Sequence, residues 1–458
     1  MKNPPAAAPP NPLLAGAVLP TLLKLAVPNV LVMTMAVMVG IAETYYIGVL
    51  GTEPLAAMAV VFPFNMLTAM MSGGAMGGGV SSAVSRALGA GNLARARASA
   101  AHAAVIGTLA GIVYSATFLL FGPALYRLLG ARDSVLTLAV GYSNVLFCGA
   151  VLVWLSNTLA SILRGTGNMA VPSLALLATA VLQITLGGSL GLGLGPIPRL
   201  GMPGVALGQI IATAAGVVFF IWYLQAGRGK LRLRFAGLKL RRELFTDILK
   251  VGALACLSPL QSVLAILIFT GLIARLGVLP LAGYGIGQRL EFLLIPIAFG
   301  IGVAAVPMVG MAVGASDIAR ARRVAWTAGC VSAFSLGLLG AVVALTPDVW
   351  AGIFTTDPGV LREAREYLVW AGPAFGFFGL GLALYFASQG SGRVLGPVLA
   401  STVRLVLVAG VGGWLMSRAA PAWQYYALVA AAMVTYGLST AAAIHITPWG
   451  PRGSPPKR

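Results

Sequence analysis

Apolar residues fill this chain in long runs, broken by short stretches that carry Gly, Pro, Arg and Asp. The runs are about 20 residues long, enough to cross a ~30 Å hydrocarbon core as helices. The short alternating segments of a membrane barrel are not visible. Twelve spans are predicted, with approximate limits 20–47, 54–79, 98–121, 135–157, 169–195, 203–225, 248–275, 280–312, 324–346, 365–387, 395–416 and 423–446. The expected fold class is therefore an all-α integral membrane protein.

The pattern repeats. Gly89-Ala90-Gly91-Asn92-Leu93-Ala94-Arg95-Ala96-Arg97 returns 225 positions later as Gly314-Ala315-Ser316-Asp317-Ile318-Ala319-Arg320-Ala321-Arg322. At the same offset Arg164-Gly165-Thr166-Gly167 returns as Gln389-Gly390-Ser391-Gly392, and Tyr142 as Tyr367. Internal duplication fixes the architecture before anything else does. Each unit holds six spans, so both copies enter the membrane from the same side and form parallel, pseudo-symmetric six-helix bundles. The expected divisions are a disordered tail at 1–19, an N-terminal lobe at 20–225, a basic linker at 226–247, a C-terminal lobe at 248–447 and a second tail at 448–458. Leu231, Leu233, Leu238 and Leu240 interleave with the linker's charges, which suggests an interfacial amphipathic helix.

Composition agrees. Hydrophobic residues make up 59% and charged residues 9%, where a soluble domain has about 25% charged. The net charge of +19 invites a nucleic-acid reading, but its distribution favours another. Most Lys and Arg fall in segments that lie inside if the N-terminus is inside, with the largest group in the linker. That positive-inside pattern predicts cytoplasmic termini in a plasma membrane, with contacts to lipid headgroups and none to nucleic acid. Met1 to Pro12 lacks the apolar core of a signal peptide. Cys148, Cys256 and Cys330 lack metal-ligand or CxxC spacing and read as packing residues.

Charge inside a membrane needs a reason, and two acids fall within spans: Glu43 in the first and Glu291 in the eighth. Glu43 can carry a proton or neutralise a bound cation, so both acids are candidate ion-coupling residues. Polar residues that interrupt spans must find partners or line water. Of these, Asn157, Gln183, Gln209 and Gln261, with the aromatic Tyr45 and Phe292, are the candidate cavity lining. Tyr142 could line it too, with core packing the default reading for each of the three aromatics. His102 and His445 are solitary, and no metal site is expected. No catalytic triad, HExxH, carboxylate pair or Walker A sequence occurs, so neither an enzyme nor a cofactor is expected.

Several stretches resemble the multidrug and toxin extrusion (MATE) family of secondary transporters. They are Ala42-Glu43-Thr44, Leu50-Gly51, Gly89-Ala90-Gly91-Asn92, Leu163-Arg164-Gly165-Thr166-Gly167-Asn168, Gly201-Met202-Pro203-Gly204 and Gln288-Arg289-Leu290-Glu291. The likeness runs from about Leu22 to Ile446. It implies two six-helix lobes around a V-shaped cleft, and antiport of H+ or Na+ against small organic, amphipathic or cationic compounds by a monomer. The family's first-span acid matches Glu43 and its eighth-span Glu matches Glu291. Its fifth-span Asn and Asp fall at Gln183 and Gly187, and acids that some branches carry fall near Ser262 and Phe378. With those acids missing, a lone Glu43 suits H+ better than Na+, which wants several oxygens. The alternative is a lipid or oligosaccharide flippase of the same superfamily, which would hold phosphates with cleft cations, here only Arg289 and Arg404. The acids are not duplicated, so the ion step is expected in the first copy.

Overall fold

The computed structural model describes residues 11–196, 198–229, 231–233 and 239–450. The expected tails at 1–10 and 451–458, and linker positions 230 and 234–238, lie outside the described residues. Among the described residues the chain is helical throughout, with short turns. The spans are α1 Val18–Leu50, α2 Thr52–Gly89, α3 Leu93–Leu128, α4 Asp133–Cys148 with Ala150–Gly165, α5 Ala170–Leu192 and α6 Met202–Gln225. They continue as α7 Arg242–Ala274, α8 Val278–Gly314, α9 Ile318–Leu345, α10 Pro358–Ser391, α11 Leu395–Ser417 and α12 Ala422–Ile446. Eleven are long and apolar enough to cross a membrane singly, and the two parts of α4, bent by 41°, make the twelfth. Most of these helices outrun the expected apolar limits, because their ends continue as polar, capped turns. Asn92 Oδ1 accepts the Arg95 N–H at 2.8 Å at the head of α3, and Asp317 Oδ1 accepts the Arg320 N–H at 2.9 Å at the head of α9. Both are side-chain N-caps that satisfy otherwise orphaned amides.

The duplication holds atom by atom. Gly165 packs on the Ser81 carbonyl and Val84, and Gly390 on the Val306 carbonyl and Val309, each pair shifted by the same offset. Where Ser115 Oγ donates to the Phe147 carbonyl at 2.6 Å, the second copy has Gly340 packed directly on the Gly372 carbonyl. One contact is reciprocal between the halves. Gly89, ending α2, sits against the Met311 carbonyl of α8, and Gly314, ending α8, sits against the Arg86 carbonyl of α2. Residues 86 and 311 are themselves counterparts, so this is the self-complementary contact of a pseudo-two-fold axis.

That contact closes the molecule at the end rich in arginine. Further along the helices, α1 crosses against the second half, with the Val30 backbone over Gly300, and α7 against the first, with Gly252 over Met76. A core of Leu22, Ala26, Met308, Val309, Ala325 and Trp449 joins start and finish of the chain. Arg86 on α2 binds Asp247 on α7 at 2.8 Å, and Arg95 reaches the same carboxylate at 3.5 Å.

Two expected divisions change. The tail expected to reach residue 19 ends earlier: Asn11 caps a short helix, Pro12–Ala15, and α1 starts at Val18. Leu13 is buried over Gly167, while Arg320 donates to the Leu13 and Gly16 carbonyls at 3.0 and 2.6 Å. The apolar Leu13 finds a cavity between the halves, so the segment folds. The linker is not helical over 231–233 or 239–241, and its last residues, 242–247, already belong to α7. Leu231 and Leu233 are buried instead, and the Leu233 N–H bonds the Leu224 carbonyl at 3.1 Å. His102 anchors the linker's far end. Its Nδ1 donates to the Ala98 carbonyl at 2.8 Å and its Nε2 accepts the Arg241 N–H at 2.9 Å.

A side chain at Gly89 or Gly314 must push the two halves apart at this end. Gly89→Val and Gly314→Val are each expected to widen the distance between spin labels at the exposed positions 97 and 323, measured by pulsed electron resonance. An unchanged distance would remove this contact as the closure.

Candidate functional site

A cavity opens away from the closed end, between α2 and the second half. Met66, Met70 and Gly74 line it from α2, Ser262 and Phe269 from α7, Glu291 and Phe292 from α8. Phe378 and Tyr385 of α10, Arg404 of α11 and Tyr436 of α12 complete it. On the α2 side the wall is a π-helical turn, Met70–Met76, built from the glycine-rich stretch that gives this helix a weak point. The cavity volume is about 140 Å³, short of the roughly 300–1,000 Å³ that buries a drug-sized ligand. A substrate of that size must widen it.

Two ionisable side chains of opposite sign, Glu291 and Arg404, set the cavity's chemistry. The Tyr367 hydroxyl donates to Glu291 Oε1, and the Tyr367 ring meets Tyr284 edge-on at 5.5 Å. Arg404 donates from one terminal nitrogen to Ser262 Oγ at 2.8 Å and lies 5.0 Å over the Tyr436 ring. Glu291 and Arg404 form no ion pair with each other.

The second carboxylate lies apart from the cavity. Glu43 is 5% exposed, and Gln183 Nε2 on α5 donates to its Oε1 at 2.7 Å. Gln183, expected in the cavity lining, is instead the partner of Glu43, because α5 lies along α1. Tyr142, its repeat counterpart being Tyr367, is buried within reach of the Glu43 charge.

Of the other expected lining residues, Phe292 alone faces the cavity. Tyr45 is 67% exposed on the outer surface of α1, because two residues along a helix is about 200° around it; a residue at that spacing cannot share the Glu43 face. Asn157 ties α4 to the π turn, donating to Ser72 Oγ at 2.8 Å. Gln261 donates to Thr402 Oγ1 at 2.7 Å, joining α7 to α11. The Gln209 Oε1 is buried on α6, away from the cavity. Asn157 and Gln261 are interhelical ties, while the Gln209 oxygen has no hydrogen-bond partner among the described residues. Arg289 points outward and stacks at 5.0 Å on Phe354, leaving Arg404 as the cavity's cation. Sequence reasoning named Arg404 only as a phosphate-holding alternative. The signal available was an arginine well inside an apolar span.

The MatE family model matches twice, over residues 28–187 and 255–415, once per repeat. The chain belongs to the MatE family. Its members are transporters, and this chain is a multi-pass membrane transporter rather than an enzyme. The FAD transporter of Shewanella oneidensis is 26% identical over 387 residues, 84% of this chain and 85% of that protein. The multidrug export protein MepA of Staphylococcus saprophyticus is 25% identical over 401 residues, 86% and 87% of the two chains. An outward-facing multidrug resistance MATE family transporter of the MOP superfamily has the same fold, with a TM-score of 0.84 at 22% identity over 94% of this chain and 96% of that one.

In this MatE chain, Tyr45 and Tyr436 are expected to separate cleanly. Tyr45→Ala, on the outer surface, should change thermal stability in detergent by less than about 0.5 kcal/mol. Tyr436→Ala removes a buried ring from the cavity wall and should cost roughly 3 kcal/mol. Equal effects would contradict the assignment of the two tyrosines.

Proposed function

We propose that this chain is a proton-coupled exporter of small amphipathic organic compounds, with Glu43 as the coupling residue. The observation that carries the reading is the setting of Glu43. It is a carboxylate in the dry interior of a span, held by one neutral amide. As an anion there it is expensive, and taking up a proton removes that cost. A Na+ ion would want several oxygen ligands. Gln183 spends its NH2 group on Glu43, and the fifth-span position expected to carry a second acid is Gly187. Among the described residues no cluster of three or more His, Cys, Asp or Glu stands ready for a metal ion. Relatives named as multidrug exporters, and one named as a FAD transporter, support small organic compounds as cargo.

The proposed cycle uses the helix that carries Glu43. The Gln183 N–H bonds an ionised Glu43 well, but a protonated carboxyl presents an O–H in need of an acceptor. Oε1 can still accept the Gln183 bond, so the new O–H on Oε2 must find an acceptor elsewhere, and a shift of α1 is proposed to supply one. Earlier on the same α1, Val30 packs on Gly300 of the second half, so movement at Glu43 bears on how the halves meet. Antiport requires only that proton and cargo favour opposite states of the protein. The arginine-rich closed end is proposed to face the cytoplasm of the plasma membrane, by the positive-inside rule, with the cavity opening outward in this state.

In proteoliposomes, a pH jump is expected to drive dye export by the wild type and a Na+ jump is not. Glu43→Gln should abolish pH-driven export while preserving dye binding. Full export by that variant would overturn the role of Glu43, and Na+-driven export would overturn the choice of ion.

A further inference from the structure

The cavity beside Glu291 contains a cation, Arg404, that makes no ion pair among the described residues. Arg404 enters from the body of α11, where a charge costs ~2.5–3.5 kcal/mol on insertion scales. Such a residue is normally paired, or it marks a substrate path. Among the described residues every ion pair lies elsewhere, at Asp247 or Asp348. The hydrogen bond of Arg404 goes to the neutral Ser262 hydroxyl at 2.8 Å, and its buried Nε has no hydrogen-bond partner. A guanidinium offers five donors in a planar fork that fits carboxylate, sulfonate or phosphate oxygens. Glu291 does not cancel it by contact, because its Oε1 is turned to the Tyr367 hydroxyl. Around Arg404 the walls are aromatic: Phe292, Phe378, Phe386 and Tyr436.

We propose that Arg404 is the recognition point for an anionic group on an amphipathic aromatic compound, held between the Arg404 fork and the aromatic walls. This rests on the transporter reading and sharpens it: the cargo bound in the second half is anionic, where the family resemblance implied cations. The stacking of Arg404 on Tyr436 and its bond to Ser262 hold the fork in place before cargo arrives, which lowers the entropy cost of binding. Glu291, facing the same cavity, opposes an anion whenever it is ionised, so the two residues act on cargo with opposite sign.

The test compares two dyes on one ring system: fluorescein, which carries a carboxylate, and a rhodamine ester, which carries a cation. Binding is read by fluorescence anisotropy on purified full-length protein in nanodiscs of zwitterionic lipid, independently of transport. Wild type is expected to bind fluorescein more tightly than the rhodamine ester. Arg404→Met should weaken fluorescein binding roughly tenfold or more, as expected for loss of a charged hydrogen-bonding partner, and Arg404→Lys should lie between. Glu291→Gln should tighten it, which a general loss of folding cannot mimic. Phosphatidylglycerol that displaces the dye only when Arg404 is present would identify a lipid headgroup as the source of the anion. Failure of wild type to prefer the anion, or equal affinity in Arg404→Met, overturns the proposal. Anion binding through Arg404 without pH-driven export would instead overturn the transport reading and leave this site standing.

Discussion

The structure depends on a backbone-to-backbone contact made twice. Gly89 lies against the Met311 carbonyl and Gly314 against the Arg86 carbonyl, and no side chain fits at either place. Lipid supplies no hydrophobic drive between helices, so close backbone approach through small residues does the holding. At this end it brings α2 and α8 together, and the space between the halves is left at the other end. The arginines gather around the contact for a related reason. Arg86 reaches across to Asp247 at 2.8 Å and Arg320 ties down the Leu13 and Gly16 carbonyls. Each arginine caps or bridges chain ends that converge where the halves meet.

The fold was legible in the sequence because its determinants are local and repeated. Apolar runs marked the spans, and the offset between Gly89-Ala90-Gly91-Asn92 and Gly314-Ala315-Ser316-Asp317 marked the duplication. The site was less legible, for reasons of geometry. Tyr45 stands two places from Glu43, yet helical rotation sends it outward. Asn157, Gln209 and Gln261 carry polar groups within spans, but sequence does not distinguish an amide that ties two helices from one that faces a cleft. Glu43 and Gln183 were both identified, whereas their 2.7 Å bond depends on how α1 lies along α5. Arg404 is nine residues inside α11, about 13 Å along the axis. A tally of basic residues by topology hides a position like that.

Duplication followed by divergence has left the copies unequal where their interiors are polar. Tyr142 lies buried near Glu43 in the first half, and its counterpart Tyr367 donates to Glu291 in the second. The tyrosine is shared, while the carboxylates come from unrelated positions, one on α1 and one on α8. The surroundings differ further. Glu43 is buried against an amide, and Glu291 shares an aromatic cavity with the Arg404 guanidinium. A closed, singly partnered carboxyl suits an exchange of protons, which need no room. An open cavity with a directed cation suits a molecule with shape.

Separating the two sites demands a mechanical link, and α1 is the element placed to provide it. From Val30, packed over Gly300 of the second half, to Glu43 is thirteen residues, about 20 Å of helix. Near its beginning the helix is locally weakened. Pro28 has no backbone N–H for the Lys24 carbonyl that a regular helix would bond there, and the next carbonyl, Leu25, accepts the Asn29 side-chain amide at 2.9 Å. A rigid outer segment hinged near Pro28 would carry a displacement at Glu43 to the place where α1 crosses into the second half. The alternative route, through the cavity itself, lacks such an element. Gln183 and Glu43 contribute nothing to its walls, so proton and cargo would not compete for atoms. They would compete for the arrangement of the two halves, which the glycine contact at the closed end makes a choice between packed and parted.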